Sequence, residues 1–244
     1  MALEDWSKGS FTSATYTRDT YRKGSGPVVI VVHEIPGITP AVERFANDVV
    51  NAGFTVVMPD LVGTPGKDVS GAYLASSMFK VCISKEFTNM ALNKTSPIIS
   101  WLRALARSLH QEVGGKGVGA VGMCFSGGFA LGMMVDDIMI APVLSQPSLP
   151  FAVGKTRGAD LNLSPDDAAV IAERAAGGCQ VLGLRFDQDK LVGDRFASLA
   201  SLLGDSFIAV EIPSQSPKDH SVLTEQRHEP SVQQVLEFFS AKLK

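Results

Sequence analysis

The feature that most constrains this fold is an apolar run that stops abruptly at a cysteine. The run Val118–Met123 is rich in small and branched residues, which is typical of a strand buried in a parallel sheet. From Phe125 to Met134 the spacing predicts a helix, opened by a Ser-Gly-Gly segment. Cys124 therefore occupies the corner where a buried strand turns directly into a helix.

A corner this sharp requires small residues on both sides of it. Gly122 and Ser126 lie two positions before and two after Cys124, which gives the pattern G-x-C-x-S. Strained strand-to-helix turns of this kind lift a nucleophile above the sheet. A second register places Ser126 at the corner, but it extends the strand by two residues and presses Phe125 into the turn. A third interpretation is that Cys124 is an inert buried thiol.

Strand-like and helical patterns alternate along the whole chain. This alternation predicts an α/β fold, a three-layer sandwich around a mostly parallel central sheet, with residues 1–244 as a single domain. Two stretches, 61–93 and 145–163, are predicted as an excursion over the site and a loop. Strands are expected at 10–18, 28–32, 54–60, 118–123, 137–144, 180–186 and 207–212. Helices are expected at 41–52, 73–83, from 96 or 97 to near 114–115, and at 125–134, 164–176, 193–203 and 231–243.

Composition excludes several classes of function. With 22 Lys and Arg against 25 Asp and Glu, the net charge of −3 offers no basic surface for nucleic acid or for a polybasic membrane contact. The polar N-terminal residues and the lack of a long apolar segment predict a cytoplasmic protein without a membrane span. Three cysteines without metal-type spacing indicate neither a disulfide framework nor a metal site. We expect no cofactor, and a monomer or weak dimer.

A cysteine nucleophile needs a base, and two histidines follow Cys124 in the chain. His220 lies in a polar loop between the last strand and the final helix, where a base would reach the same sheet edge. His228 precedes Glu-Pro and is typical of a solvated turn. His220 is therefore the candidate base.

An acid that orients the base should follow another strand of the sheet. Asp187 and Asp189 both come directly after the strand at 180–186. Asp189 is far enough past the strand for its side chain to turn back over the sheet edge, whereas Asp187 is placed to cap the turn. We favour Asp189 and keep Asp187 as the alternative. In this role a carboxylate fixes the tautomer of the imidazole.

The segment after the strand at 28–32 supplies further candidates. The oxyanion of an acyl intermediate needs two backbone N–H donors, and these are expected from Phe125 and Ile35, since Pro36 has none. Glu34 then lies at the mouth of the site as a carboxylate that could receive the thiol proton, or as a solvated loop residue. His33 is expected to pack beneath the loop.

Taken together, these motifs resemble the dienelactone hydrolase family of the α/β-hydrolase superfamily. The resemblance implies a Cys-His-Asp triad of Cys124, His220 and Asp189, a resting thiol kept neutral, and Glu34 as the group that controls its protonation. It also implies a carboxylic ester hydrolase of the carboxymethylenebutenolidase type, which cleaves small esters or lactones without cofactor or metal. The motifs are 33–37 (HEIPG), 122–127 (GMCFSG), 187–192 (DQDKLV) and 219–221 (DHS).

The chain departs from the family pattern where a substrate carboxylate would bind. Thr224 stands four residues after His220, where related lactonases carry an arginine. Lys80 and Lys85 are the remaining cations in the region that should supply a second contact. A substrate carboxylate is therefore one option among small esters and lactones. The competing hypotheses are a hydrolase-fold protein that binds a small ligand without turnover, and a redox-sensing thiol at Cys124.

Overall fold

A mostly parallel sheet forms the centre of the computed structural model, which describes residues 3–14, 16–87, 92–152 and 154–244. In these residues eight strands follow the order β1-β2-β4-β3-β5-β6-β7-β8, antiparallel at β1–β2 and β2–β4 and parallel elsewhere. The strands are β1 (Ser7–Ser13), β2 (Tyr16–Lys23), β3 (Val28–Val32), β4 (Thr55–Pro59), β5 (Val118–Met123), β6 (Met139–Ser145), β7 (Val181–Phe186) and β8 (Phe207–Ile212).

Helices cover both faces of this sheet. One face packs against α3, α4, α6 and α7, and the other against α1 and α8. No helix among the described residues is long and apolar enough to cross a bilayer. The helices are α1 (Pro40–Asn51), α2 (Gly71–Ile83), α3 (Pro97–Val113), α4 (Phe129–Met133), α5 (Lys155–Ala159), α6 (Pro165–Ala176), α7 (Arg195–Leu203) and α8 (Glu229–Leu243).

The sequence of β3 explains why it lies in the middle of the sheet. Its five residues, VVIVV, are all fully buried, and alternate side chains join the cores on opposite faces: Ile30 belongs to one core, and Val29 and Val31 to the other. A strand that is apolar on both faces is stable only when helices cover both of them. The predicted three-layer arrangement is therefore the one observed.

Two helices begin as their sequences predict. The hydroxyl of Thr39 accepts a hydrogen bond from the N–H of Val42 at the start of α1, and that of Ser164 accepts one from Asp167 at the start of α6. Each cap is followed by a proline in the first turn, whose fixed φ suits a helix start. The α1 cap fixes the end of the loop that leaves β3.

The N-terminal region differs from the prediction of one edge strand over 10–18. It forms an antiparallel hairpin of β1 and β2, in which Ser7 pairs with Arg22 and Ser13 with Tyr16. The turn places Ala14 at a φ of 52°, in the left-handed region. Alanine rarely adopts this conformation, and Gly or Asn usually marks such a turn. Because this turn has an alanine there, the sequence did not indicate a hairpin.

Three other predictions need correction. The helix predicted at 125–134 is split into a 3₁₀ turn, Cys124–Ser126, followed by the short α4, because the chain is still turning the corner. The predicted loop 145–163 contains α5, and the final helix begins two residues early, at Glu229. Residues 88–91 of the predicted excursion and residue 153 of the predicted loop lie outside the described residues.

The sheet topology brings the chemistry-bearing residues to one edge. The strands β3, β5, β6, β7 and β8 are consecutive neighbours and run parallel, so the segments that follow them meet above their carboxyl ends. Those segments carry Glu34, Cys124, Asp189 and His220. Residues far apart in sequence are thus gathered over the centre of the sheet.

We predict that Gly122→Ala lowers the free energy of unfolding by about 1–3 kcal/mol, the usual range for overpacking a buried site. A Cβ at this position would lie 2.0 Å from the carbonyl oxygen of Ser126, which is backbone and cannot swing away. Gly71→Ala is the matched control because its Cβ would meet nothing within 4 Å. Urea denaturation followed by circular dichroism measures both, and equal midpoints for the two variants would contradict the expectation.

Candidate active site

Cys124 occupies a strained corner at the end of β5. Its φ is 55°, in the left-handed region that non-glycine residues rarely adopt, and its side chain is partly exposed. The strand ends at Met123, and the 3₁₀ turn begins with Cys124 itself. The corner therefore lies in the first of the two registers considered from the sequence. Strain of this kind is typical of functional positions.

Ser126 has a structural position beneath this corner. It is fully buried, and its hydroxyl accepts a hydrogen bond from the N–H of Met123 at 2.9 Å. The same oxygen lies 3.0 Å from the carbonyl oxygens of Val32 and His33, to which it can donate its proton. Ser126 thus ties the elbow to the end of β3, and its hydroxyl is not presented to a substrate.

His220 and Asp189 form a close pair across two loops. Nδ1 of His220 lies 2.6 Å from Oδ2 of Asp189, whose side chain is almost fully buried. The other carboxylate oxygen of Asp189 accepts a hydrogen bond from the N–H of Leu191 at 3.0 Å. An ionised Asp189 with this geometry receives the Nδ1 proton and leaves Nε2 available toward Cys124.

The free edge of His220 faces the thiol. Nε2 is buried and has no hydrogen-bond partner among the described residues. Burial favours the neutral ring, but the neighbouring Cys124 and the hydrogen bond to Asp189 outweigh it and raise the pKa of His220 to about 11. The site therefore favours a protonated ring next to the cysteine corner.

The alternative histidine and aspartate lie elsewhere. Oδ1 of Asp187 accepts a hydrogen bond from the N–H of Ser214 at 2.9 Å, and this contact with Ser214 lowers the pKa of the exposed Asp187 carboxyl. Nδ1 of His228 lies 2.8 Å from the hydroxyl of Ser231 at the start of α8. Asp187 links two loops, and His228 lies at a helix end.

Glu34 lies buried in a ring of hydrogen-bond donors. Its carboxylate accepts hydrogen bonds from the hydroxyl of Thr224, from that of Ser221 at 2.9 Å and from the Nε2 amide of Gln146 at 3.1 Å. It has no hydrogen bond with Cys124 in the described part of the chain. Burial raises the pKa of Glu34, while Thr224, the charge of His220 and Ser221 lower it in part.

Thr224 has a different position from the one expected of a substrate contact. It is fully buried and donates its hydroxyl proton to Glu34. Its backbone carbonyl accepts a hydrogen bond from Arg44 at 3.1 Å. The reason is that the loop after β8 folds back over Glu34 before α8 begins. The Thr224 hydroxyl therefore holds Glu34 in place, and a contact of Thr224 with a substrate stays a prediction.

Sequence reasoning missed Gln146 and the role of Ser221. Gln146 follows β6 directly, at a φ of 35°, and is fully buried. Its position at the end of a central strand is the only signal that could have indicated it. Ser221 is adjacent to His220, so placing His220 in the loop after β8 also placed Ser221 near the site. Its hydrogen bond to Glu34 was not predicted.

A buried arginine that the sequence did not single out fixes the loop after Asp189. Nη1 of Arg195 donates to the carbonyl oxygens of Leu191 at 3.1 Å and Val192 at 2.8 Å, and Nε donates to Leu149 at 3.2 Å. Burial lowers the pKa of Arg195 to about 10, so it remains charged at neutral pH. Its guanidinium is occupied by backbone carbonyls and is not presented to a substrate.

The backbone N–H groups of Phe125 and Ile35 are the predicted oxyanion donors. No protein acceptor is found for either N–H within the described ranges. Beneath them, Nδ1 of His33 lies 2.8 Å from the Glu34 carbonyl oxygen, and Nε2 accepts from the N–H of Leu61 at 3.1 Å. Burial lowers the pKa of His33 to about 4, so the ring is neutral and packs beneath the loop as expected.

The two candidate lysines lie on the excursion beside the site. Lys80 is exposed on α2 and lines a cavity of about 310 Å³ together with Arg18, Asp60 and Phe87. Lys85 is exposed just after α2, and the structure gives it no contact with Cys124 or Glu34. Among the described residues, no three His, Cys, Asp or Glu side chains gather as a possible metal site.

Comparison with known proteins identifies the family. The sequence profile of the dienelactone hydrolase family matches residues 14–147, which is more than half of the chain. The chain belongs to the dienelactone hydrolase family. Membership supports a hydrolase or esterase function and confirms the resemblance that the motifs indicated. Comparison with curated proteins gave no significant match.

Solved structures confirm the α/β-hydrolase fold. The chain is similar to the dienelactone hydrolase from Anabaena variabilis ATCC 29413, with a TM-score of 0.66 and 16% identity over 99% of this chain and 100% of that one. A dienelactone hydrolase-like promiscuous phosphotriesterase from metagenomic libraries gives 0.65, with 17% identity over 98% of each chain. A cold-adapted esterase from an Arctic intertidal metagenomic library gives 0.62, with 15% identity over 97% and 93%.

We predict that Asp189→Asn lowers kcat for ester hydrolysis by about 10⁴-fold, because an amide can present the wrong tautomer of the base. Asp187→Asn is the matched control and should leave kcat close to its original value. Steady-state hydrolysis of p-nitrophenyl acetate measures both, with circular dichroism to check folding. The opposite ranking would move the acid to Asp187.

Proposed function

We propose that the protein hydrolyses small carboxylic esters or lactones through a triad of Cys124, His220 and Asp189 and a thioester acyl-enzyme. The observation that carries the proposal is the orientation of His220. Its Nδ1 is engaged by Asp189 at 2.6 Å, its buried Nε2 has no hydrogen-bond partner in the described residues, and Cys124 is close enough to raise the pKa of the ring. A base oriented in this way can give and take one proton at the nucleophile.

In the proposed reaction the thiolate of Cys124 attacks the ester carbonyl carbon and forms a tetrahedral oxyanion. The N–H groups of Phe125 and Ile35 stabilise that oxygen. Collapse of the intermediate breaks the bond to the alkoxide, which leaves with a proton from the His220 imidazolium. The acid portion is then held as a thioester on Cys124.

Deacylation uses the same residues in the reverse proton direction. His220, now neutral, takes a proton from a water molecule as its oxygen attacks the thioester carbonyl. The second tetrahedral intermediate expels the Cys124 thiolate and releases the carboxylic acid. His220 is left protonated beside the thiolate, so the starting state is restored. This cycle requires no metal or cofactor.

In this proposal Glu34 is a fixed anchor. Three donors hold its carboxylate, and they come from the loops after β6 and β8, so Glu34 connects the oxyanion segment to the loop that carries His220. A mobile proton acceptor would have to break these bonds. We therefore assign the thiol proton to His220, which differs from the neutral resting thiol that the family resemblance implied.

The charged side chains around the site indicate which substrates to test first. Glu34 and Asp189 are both buried carboxylates, and the Arg195 guanidinium is bound to carbonyl oxygens. Lys80, which lines the neighbouring cavity, and Lys85 are the candidate cations for a substrate carboxylate. Small uncharged esters and lactones are thus the first substrates to test, and carboxylated ones the second.

The direct test is to trap the covalent intermediate. We expect rapid mixing with p-nitrophenyl acetate, acid quenching and intact-mass spectrometry to detect one added acetyl group, localised by peptide mapping to Cys124. Cys124→Ala should lose both the adduct and turnover, whereas Cys179→Ala, which alters a half-buried thiol outside the site, should retain both. Turnover that persists in Cys124→Ala would refute the assignment. Failure to hydrolyse a broad panel of esters and lactones would favour the ligand-binding hypothesis.

A further inference from the structure

Exposed apolar side chains of this protein are concentrated in one segment. Of the seven large hydrophobic residues that are exposed among those described, five fall within residues 69–92. The most exposed are Phe79, at 65%, and Ile83, at 64%. Exposed apolar residues gathered in one segment of the chain indicate an interaction site more often than scattered ones do. The five residues are Val69, Leu74, Phe79, Ile83 and Leu92.

The two most exposed of these residues, Phe79 and Ile83, belong to a regular stripe on helix α2. Ala72, Ala75, Phe79, Cys82 and Ile83 recur at spacings of three and four residues, so they share one face, and all five are exposed. We call this face the α2 stripe. In a globular domain an apolar face of a helix normally points into the core, yet here it points to solvent.

The opposite face of α2 is anchored, so the outward direction of the stripe is fixed. Tyr73 and Val81 are buried on that face. The Tyr73 hydroxyl accepts a hydrogen bond from the N–H of Thr64 at 2.6 Å and donates one to the Thr64 carbonyl at 3.0 Å. A Cβ added to Gly37 would lie 2.8 Å from the same hydroxyl, so α2 packs directly beside the 33–37 segment of the active site.

Charges around the stripe have the opposite sign to the protein as a whole. Residues 67–94 contain four lysines and two acidic residues, in a chain whose net charge is −3. One of the two acids, Glu86, is engaged by Arg18. Helix α2 itself has a lysine and no acid. The net charge of the whole chain, which predicted no polybasic membrane contact, therefore does not describe this segment. An apolar stripe with the exposed Lys80 and Lys85 beside it is complementary to an anionic lipid surface.

We infer that the α2 stripe docks on the surface of an anionic lipid bilayer. Phe79 and Ile83 enter the boundary between headgroups and acyl chains, and Lys80 and Lys85 contact the headgroups. A second copy of the chain fits this face less well, because α2 has no acidic residue to pair with Lys80 of a partner helix. Docking would place the 33–37 side of the active site near esters that partition into the bilayer.

Vesicle sedimentation tests this inference independently of catalysis. The full chain is mixed with vesicles of equal parts phosphatidylglycerol and phosphatidylcholine, or of phosphatidylcholine alone, and the pelleted fraction is measured. We expect binding to the anionic vesicles that weakens as salt rises. The double variant Phe79→Ser with Ile83→Ser should bind at least about tenfold more weakly, since it loses the two apolar side chains that enter the bilayer in this proposal. Val170→Ser, at a residue 38% exposed on α6, is the matched control.

Three outcomes would overturn the inference: no binding to anionic vesicles, equal binding by the double variant and the original chain, or equal loss in Val170→Ser. Analytical ultracentrifugation adds a fourth. A dimer that dissociates in the double variant, without vesicle binding, would assign the stripe to a second copy. Because both variants should retain hydrolysis of water-soluble esters, failure here is distinguishable from failure of the proposed triad.

Discussion

The strained conformation of Cys124 is the constraint on which the rest of the site depends. A φ of 55° at the end of β5 lifts the thiol off the sheet and turns the chain at once into the 3₁₀ segment. This turn is possible because Gly122 has no side chain to meet the Ser126 carbonyl and because the Ser126 hydroxyl ties the corner to the end of β3. The thiol and the two predicted oxyanion donors are therefore positioned by the backbone.

Hydrogen bonds between loops hold the remaining residues of the site in position around Cys124. The Glu34 carboxylate joins the segment after β3 to the loops after β6 and β8, and the Arg195 guanidinium holds the carbonyls that follow Asp189. Both charged groups are buried, so each contributes only if its partners stay in place. The geometry of His220 relative to Cys124 thus depends on buried charged groups outside that pair.

The sequence was sufficient to predict the fold and the site residues where the local pattern and the sheet topology agree. The buried strands and the segments after them could be predicted, and with them Cys124, His220 and Asp189 at one sheet edge. The sequence was insufficient where tertiary packing overrides the conformation that the local residues favour. Ala14 adopts a left-handed turn without a glycine signal, and Thr224 turns inward to Glu34 because of a fold-back that no periodicity encodes. The protonation of the thiol likewise depends on distances that spacing cannot supply.

The most direct test of the central claim is the pH dependence of alkylation at Cys124 by iodoacetamide, followed by peptide mass spectrometry. Cys82, an exposed thiol on α2, serves as an internal reference in the same sample. Because the thiolate and not the thiol reacts with iodoacetamide, a resting thiolate paired with His220 predicts that Cys124 is already alkylated rapidly near pH 6 and gains far less rate between about pH 6 and 8.5 than the reference thiol does. Parallel rises at both cysteines would show a neutral resting thiol and contradict the assigned role of His220.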